Sequence, residues 1–396
     1  MRLFRDFSTS ACTAGFVAVL VGFTSSVAIV YQAALAFGAT PAQISSWMWS
    51  LGIGMGLCSM LPSWWLRKPV MVAWSTPGAA VLATAGMAGG YSMGDAVGAF
   101  LASAALVTLF GVTGWFEKIM NRIPGAIASA LLAGVLARFG MQAFVAAQTA
   151  LALVLLMLGG YLLSRRLSPR YAVVITLLVG TLYVGLRGQF AGADVQAGLA
   201  TPVFTMPQFG WSAFISLAIP LFVVTMASQN LPGVAAIRAT GYGGPGGLPV
   251  SGIITLTGLA TLVLAPFGAF ALNLSAITAA ICMGPQAHHD PARRYTAAMS
   301  CGAFYVLIGL FGATVTSLLT AFPKELVAAI AGLALLGTIA NALTVALQEE
   351  PHREAAIITF LVTLSGVVVA GVGSAFWGVV AGALALAVQQ YGRRVS

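Results

Sequence analysis

Two apolar stretches, set about 200 residues apart, do not read as simple membrane helices. KPVMVAWSTPGAAVLAT (68–84) and PFGAFALNLSAITAAICMG (266–284) each open with a small, β-prone run, Val70 to Trp74 and Ala269 to Asn273. Each then meets a helix-start signal, Ser75-Thr76-Pro77 in one and Asn273-Leu274-Ser275 in the other. A strand of about five residues at ~3.3 Å and a helix of about ten at ~1.5 Å together cover roughly 31 Å, the hydrocarbon thickness of a bilayer. Each stretch is therefore long enough to cross, with its backbone interrupted near the middle. Lipid cannot hydrogen-bond the freed N–H and C=O groups, so such a break is tolerated only inside protein or beside a cavity. Matched breaks in the two halves of a chain point to a transporter's substrate site.

Composition agrees with a membrane setting. Of the 396 residues 59% are hydrophobic and only 7% charged, with a mean hydropathy of +0.97, whereas soluble domains carry about 25% charged residues. Arg2 and Arg5 precede an apolar run, as in a signal peptide, but Phe16 to Leu35 is long enough to span and reads as a retained first span. Cys12, Cys58, Cys282 and Cys301 lie in apolar contexts without metal-like or framework spacing and read as packing residues.

Apolar runs and polar breaks predict an all-α polytopic membrane protein with fourteen transmembrane segments. They lie at 9–35, 42–61, 69–84, 92–115, 123–138, 147–163, 170–186, 211–236, 247–265, 266–284, 295–320, 324–347, 354–372 and 374–391. Spans 3 and 10 are each a short strand plus a half-helix. With both termini cytoplasmic, fifteen of the eighteen Lys and Arg fall inside, leaving Arg138, Arg187 and Lys324 outside. This positive-inside bias supports the count and the orientation, and it explains the net charge of +9 without nucleic acid. The broken segment follows the start of span 1, and of span 8, by about sixty residues in each half. Seven spans per half is odd, so the repeats (1–190 and 205–396) are inverted, joined by the polar stretch from Arg187 to Gln208.

The candidate site residues follow from these breaks. Ser75, Thr76, Asn273 and Ser275 stand at helix starts, where unpaired N–H groups and about half a positive charge favour an anion without a buried Lys or Arg. The same side chains also serve as helix caps. Gln229-Asn230 interrupts an apolar span and is followed by Pro232-Gly233; buried amides need partners, so the pair faces the bundle interior as site or as helix-to-helix glue. Thr24-Ser25-Ser26 and Tyr31-Gln32 form a weaker polar patch, because hydroxyls back-bond to their own helix. All nine acids fall in loops or at span ends, which argues against a carboxylate relay or a multi-acid cation site. His288-His289-Asp290 has metal-ligand residue types but sits in an Arg-rich loop without further ligands, so no metal and no cofactor is expected. GYGGPGGLP from Gly241 lacks the Lys and Ser/Thr of a phosphate loop and reads as a turn. Gly52–Gly56 and Gly86–Gly90 have small-residue packing spacing.

At PVMVAWSTPGAA and ALNLSAITAAICMGPQAHHDPARRY the sequence resembles the bacterial benzoate:proton symporter family, a similarity that runs through nearly the whole chain. That family looks like a member of the wider group of nucleobase permeases and anion exchangers. The resemblance implies a seven-plus-seven inverted repeat with a core domain from spans 1–4 and 8–11 and a gate domain from spans 5–7 and 12–14. Substrate would lie between spans 1, 3, 8 and 10. It implies Ser75 and Thr76 at the span-3 junction, Asn273, Leu274 and Ser275 at the span-10 junction, and Gln229 where nucleobase permeases often carry an acid. An amide there suits an anionic substrate, which a carboxylate would repel. The implied function is not enzymatic: uptake of benzoate or a similar aromatic monocarboxylate across the bacterial inner membrane, by proton symport and alternating access. A nucleobase permease is the alternative, and an anion channel a weaker one. Ser25, Trp74 and Asn230 complete the expected substrate contacts, with Phe270 a second candidate for packing on the ring. Expected partners are the anion, protons and membrane lipid, with a homodimer compatible. The proton would ride on Asp6, Glu117 or Asp290, or on the substrate itself.

Overall fold

The computed structural model describes residues 6–24, 26–116, 125–167, 171–190, 197–243, 246–285, 287–367, 369 and 374–391. Helices α1 (Thr9–Thr24) and α2 (Val27–Ala36) make one interrupted crossing. Thr24 and Ser26 at the interruption donate to Leu20 O (2.7 Å) and Gly22 O (3.0 Å), the back-bonding open to hydroxyls in apolar helices. Helix α3 (Pro41–Leu66) starts with Pro41 and a capping box in which Thr40 and Gln43 satisfy each other's backbone N–H. Then come β1 (Val72–Trp74), α4 (Thr76–Met87), α5 (Met93–Thr113), α6 (Gly125–Val145), α7 (Ala147–Leu167) and α8 (Ala172–Leu186). The second half runs through α9 (211–239), α10 (Val250–Leu264), β2 (Leu272–Leu274), α11 (Ile277–Cys282), α12 (Tyr295–Leu310), α13 (Gly312–Ala321), α14 (Lys324–Ala346), α15 (Arg353–Ser365) and α16 (Ser374–Tyr391).

The helices and the two strand-plus-helix units lie along the apolar runs read from the sequence, and α3, α6 and α7 extend beyond the expected bounds. By length and composition, eight described helices can cross a bilayer, or nine if α12 and α13 count as one span bent by 66°. That bend, at Phe311, divides a run that the sequence presents as continuous. It falls where Gly309 and Gly312 press against the α3 backbone, with a Cβ at either lying 3.0 Å or less from α3 atoms or Ser45 O.

The two strands pair antiparallel, with Val72 opposite Leu274, Ala73 opposite Asn273 and Trp74 opposite Leu272. This register is symmetric about the Ala73–Asn273 pair, as expected of strands from two inverted repeats. Ser75 N–H donates to Ala271 O (3.1 Å) and Ser275 N–H to Met71 O (3.0 Å), which extends the ladder equally at both ends. The facing backbone groups of the two breaks thus satisfy one another, while the outward N–H groups of Val72, Leu272 and Leu274 donate to Ser59 Oγ (3.0 Å), Thr261 Oγ1 (3.2 Å) and Asn230 Oδ1 (2.9 Å). Gly268, leading into β2, has φ +102, and a Cβ there would stand 1.8 Å from Trp47 Cδ1. Only glycine fits so close an approach.

Small residues set the packing around this clip. Gly52 and Gly56 of α3 meet Gly309 and Gly302 of α12, and Gly111 of α5 and Gly258 of α10 meet Thr255 and Thr108 across their own interface. Gly86 packs on Ala36, whereas Gly90 has φ +90 and open space beside it, so only part of the second glycine spacing is used for packing. Helices α6, α7, α8, α14, α15 and α16 pack mainly with one another, and α6 and α14 also touch the elements around the strands.

Candidate functional site

A cavity of about 690 Å³ opens where the α1–α2 break, the strand pair and α9 face α6 and α14. Trp74 closes one wall. Its Nε1–H donates to Ser26 Oγ at 2.8 Å and its ring lies tilted on Phe23 at 5.3 Å, so the indole is fixed with its polar handle satisfied and its apolar body toward the cavity. Ser26 lines the cavity, while Ser25 lies outside the described residues.

Ser75 and Thr76 divide the expected roles. Ser75 is fully buried, accepts from Gly78 N–H at 3.0 Å and from Thr225 Oγ1–H at 3.1 Å, and is not part of the lining. It caps α4. Thr76 lines the cavity together with Pro77, at the N-terminal, positive end of the 12-residue helix α4.

The amide pair of α9 divides in the same way. Residues 226–230 form one π-helical turn, the kind of local widening that accompanies functional sites. Ser228 and Gln229 line the cavity. Asn230 is turned away and fully buried: Oδ1 accepts from Leu274 N–H at 2.9 Å and Nδ2 donates to Met226 Sδ at 3.1 Å, tying β2 to α9. Leu274 itself is buried beside Gly233 and does not line the cavity.

The second junction is built differently from the first. The sequence suggests that Asn273 starts a helix, but it stays in β2, because pairing with Ala73 extends the strand and its Nδ2 donates to Ala271 O at 2.8 Å. Asn273 Oδ1 is buried without a partner among the described residues. Asn273 stands opposite Ala73, which lines the cavity, but is not itself exposed there. Ser275, two residues later and just ahead of the N-cap Ala276, accepts from Thr278 Oγ1–H at 2.7 Å and lines the cavity with Thr278. Helix α11 has only six residues, so its dipole is much shorter than that of α4. Phe270 packs on Trp47 and Phe100 at 5.7 and 5.8 Å, outside the lining.

Sequence reasoning missed the opposite wall. Ser129 and Leu132 of α6 and Leu335, Thr338 and Asn341 of α14 line the cavity, as does Tyr305 of α12. Asn341 carried a usable signal, an amide inside GLALLGTIANALTVAL, by the argument that marks Gln229-Asn230. Ser129 and Thr338 carried none that separates them from back-bonding hydroxyls. No Asp, Glu, His, Lys or Arg is among the described lining residues.

The acids considered as proton carriers lie elsewhere. Asp6 accepts from Tyr295 Oη–H at 2.7 Å and pairs with Arg67 (3.5 Å) and Arg293 (3.7 Å), and Asp290 pairs with Arg293 (3.4 Å). Glu117 lies outside the described residues. Nearby, Arg294 is buried and donates to Met283 O (2.9 Å) and His288 O (2.8 Å), closing the chain after α11, and Lys68 Nζ donates to Gly246 O and Gly247 O in the glycine-rich turn. His288 Nδ1 accepts from Asp290 N–H at 3.0 Å.

Interrupted segments paired across an inverted repeat, with an uncharged and largely apolar cavity between two sets of helices, define a polytopic membrane transporter. The family model described as benzoate membrane transport protein matches residues 5–388, and the chain belongs to that family. It is 45% identical over 388 residues to the inner membrane protein YdcO of Escherichia coli (strain K12), covering 98% of this chain and 97% of that protein. It is 39% identical over 381 residues to the benzoate membrane transport protein of Acinetobacter baylyi, covering 96% and 95%. Among solved structures, the transmembrane domain of a cyanobacterium bicarbonate transporter, BicA, superposes with a TM-score of 0.62 at 12% identity over 95% of this chain and 97% of that one. SLC26A9 gives 0.59 at 13% over 96% and 65%. At these identities the structural likeness is one of fold.

Proposed function

We propose that this transporter takes up benzoate or a closely similar aromatic monocarboxylate across a bacterial inner membrane, by proton symport and alternating access. The observation that carries the reading is the cavity itself: one indole wall, a helix N-terminal turn at Thr76, hydroxyls and the Gln229 amide, with no ionised group among the described lining residues. A carboxylate there is stabilised by N–H and O–H dipoles and meets no fixed negative charge, while the aromatic ring stacks against Trp74. The names of the family and of the Acinetobacter relative support the same substrate.

The proton travels with the substrate carboxylate. Asp6 and Asp290, engaged with arginines away from the cavity, support this route over a carboxylate relay. The substrate is held between a core of spans 1–4 and 8–11 and a gate of spans 5–7 and 12–14. The cavity runs to the exposed Gly125 and Asn341, while Leu132 and Leu136 at its other end are buried. With the positive-inside orientation, that is an inward-open state.

The test is competition in vesicles bearing an inward proton gradient. Unlabelled benzoate should displace labelled benzoate and uracil should not. Displacement by uracil, or conduction without counter-exchange, would refute this reading in favour of a nucleobase permease or a channel respectively.

A further inference from the structure

Arg165 does not do what a basic residue near a helix end usually does. It lies two residues before the end of α7, where Arg ordinarily extends its head group toward water. The residue is exposed, yet its side chain turns back along the helix to Tyr161. Nη1–H donates to Tyr161 Oη at 2.6 Å, and Cζ lies 5.8 Å from the centroid of the Tyr161 ring. Helix α14 completes the seat, since a Cβ at Gly337 would stand 2.9 Å from Arg165 Nη1. Among the described residues no carboxylate forms an ion pair with it.

The seat borders the cavity. Gly337 precedes Thr338 and lies one helical turn before Asn341, and both of those residues line the cavity. A guanidinium has five N–H donors in a planar fork, and Tyr161 uses one of them. A fixed cation without a carboxylate partner thus stands beside a polar rim that carries no charge of its own. Arg165 is itself exposed, so its field on an anion at the cavity mouth is screened by salt and its effect depends on ionic strength.

We propose that Arg165, together with the Asn341 amide, is an electrostatic anchor for the substrate carboxylate. It would hold the anion as it passes between the cavity and the membrane face that carries Arg165 and Arg166. The inference rests on the anionic-substrate reading above. A phosphate of an anionic lipid offers similar chemistry from a different source, and the experiment separates the two.

Full-length protein is reconstituted in phosphatidylcholine vesicles, with and without phosphatidylglycerol, and the KM for benzoate exchange is measured from each side at low and high salt. Arg165→Gln should raise KM about fivefold to tenfold from the Arg165 side, change it less from the other, and abolish the salt dependence of KM. Arg165→Lys should keep part of that salt dependence, since it keeps the charge and loses the fork. Gly337→Ala should raise KM from the same side by displacing the guanidinium without removing it. Arg166→Gln should leave KM unchanged, and melting curves of all variants confirm that they are folded. A folded Arg165→Gln protein with wild-type KM on both sides overturns the anchor. So does a defect confined to vesicles containing phosphatidylglycerol, which assigns the guanidinium to lipid phosphate. Wild-type protein that exchanges no benzoate refutes the substrate reading itself, a result separable from an anchor that fails in an active carrier.

Discussion

Gln229 and Asn230 are neighbours in the chain with opposite surroundings, which makes them a sharp test of the site. Asn230 is fully buried and is the partner of Leu274 N–H at 2.9 Å. Asn230→Ala orphans a buried backbone donor, at a cost of about 1–3 kcal/mol, and removes a tie between α9 and β2. The expected result is a melting temperature lower by a few degrees, measured by fluorescence-detected unfolding of the purified protein. Gln229 lines the cavity and shows no such structural tie among the described residues. Gln229→Leu removes a hydrogen bond to a bound carboxylate worth about 1.5–3 kcal/mol, or roughly tenfold to a hundredfold in Kd. Titration calorimetry with benzoate should show that loss while the melting temperature of the ligand-free protein stays near wild type. The reverse assignment, with Asn230→Ala weakening binding at unchanged stability and Gln229→Leu unfolding the protein at unchanged affinity, would refute this division of roles.

Gly268→Ala should prevent accumulation of folded protein, because the new methyl would overlap Trp47 and force a left-handed φ on a residue with a side chain; wild-type yield and melting in detergent would contradict that account. Gln229→Glu should impair benzoate transport more at pH 7 than at pH 5, since a protonated Glu resembles the amide and an ionised one repels the anion; a defect equal at both pH values would remove the electrostatic explanation. In a cysteine-free background, cysteines at Arg187 and Lys324 should label from outside and those at Lys118 and Arg166 should not, and the opposite pattern reverses the orientation. Asp6→Asn, Glu117→Gln and Asp290→Asn should each leave proton-driven accumulation intact; a variant that still exchanges benzoate but no longer accumulates it would identify the carrier.

The broken segments were legible because Val70–Trp74 and Ala269–Asn273 combine β-prone residues with a following start signal, a pattern unlike that of a continuous span. Ser75 was legible as a cap for the same reason, whereas the N-cap of α11 is Ala276, one residue after Ser275. What the sequence leaves open is direction around the helix. Adjacent residues diverge by about 100° around any helix, and the sequence does not say that Gln229 faces the cavity and Asn230 faces β2. Asn273 was read as a helix start because side-chain type alone does not distinguish a cap from a strand residue whose amide bonds its own backbone. The α6–α14 wall was hidden because Ser129 and Thr338 occur singly in apolar helices, where hydroxyls need no external partner. The seat of Arg165 depends on Gly337 in another helix, a long-range pairing with no local signature.

The strand pair has a consequence for how this chain tolerates change. Each strand has only three residues, yet their register places Ala73 beside Asn273 and sets which side chains of both halves point the same way. Deleting or inserting one residue in the lead-in to either strand would shift that register by one, and a one-residue shift sends alternate side chains to the opposite face. A length change in one half would therefore also displace the other half from its partner, although that half's sequence was untouched. Loops elsewhere can lengthen and shorten independently, but the spacings from Lys68 to Ser75 and from Gly268 to Ser275 are tied to each other. Of all parts of the molecule, these two lead-ins are where the inherited lengths of the duplicated halves must stay in step.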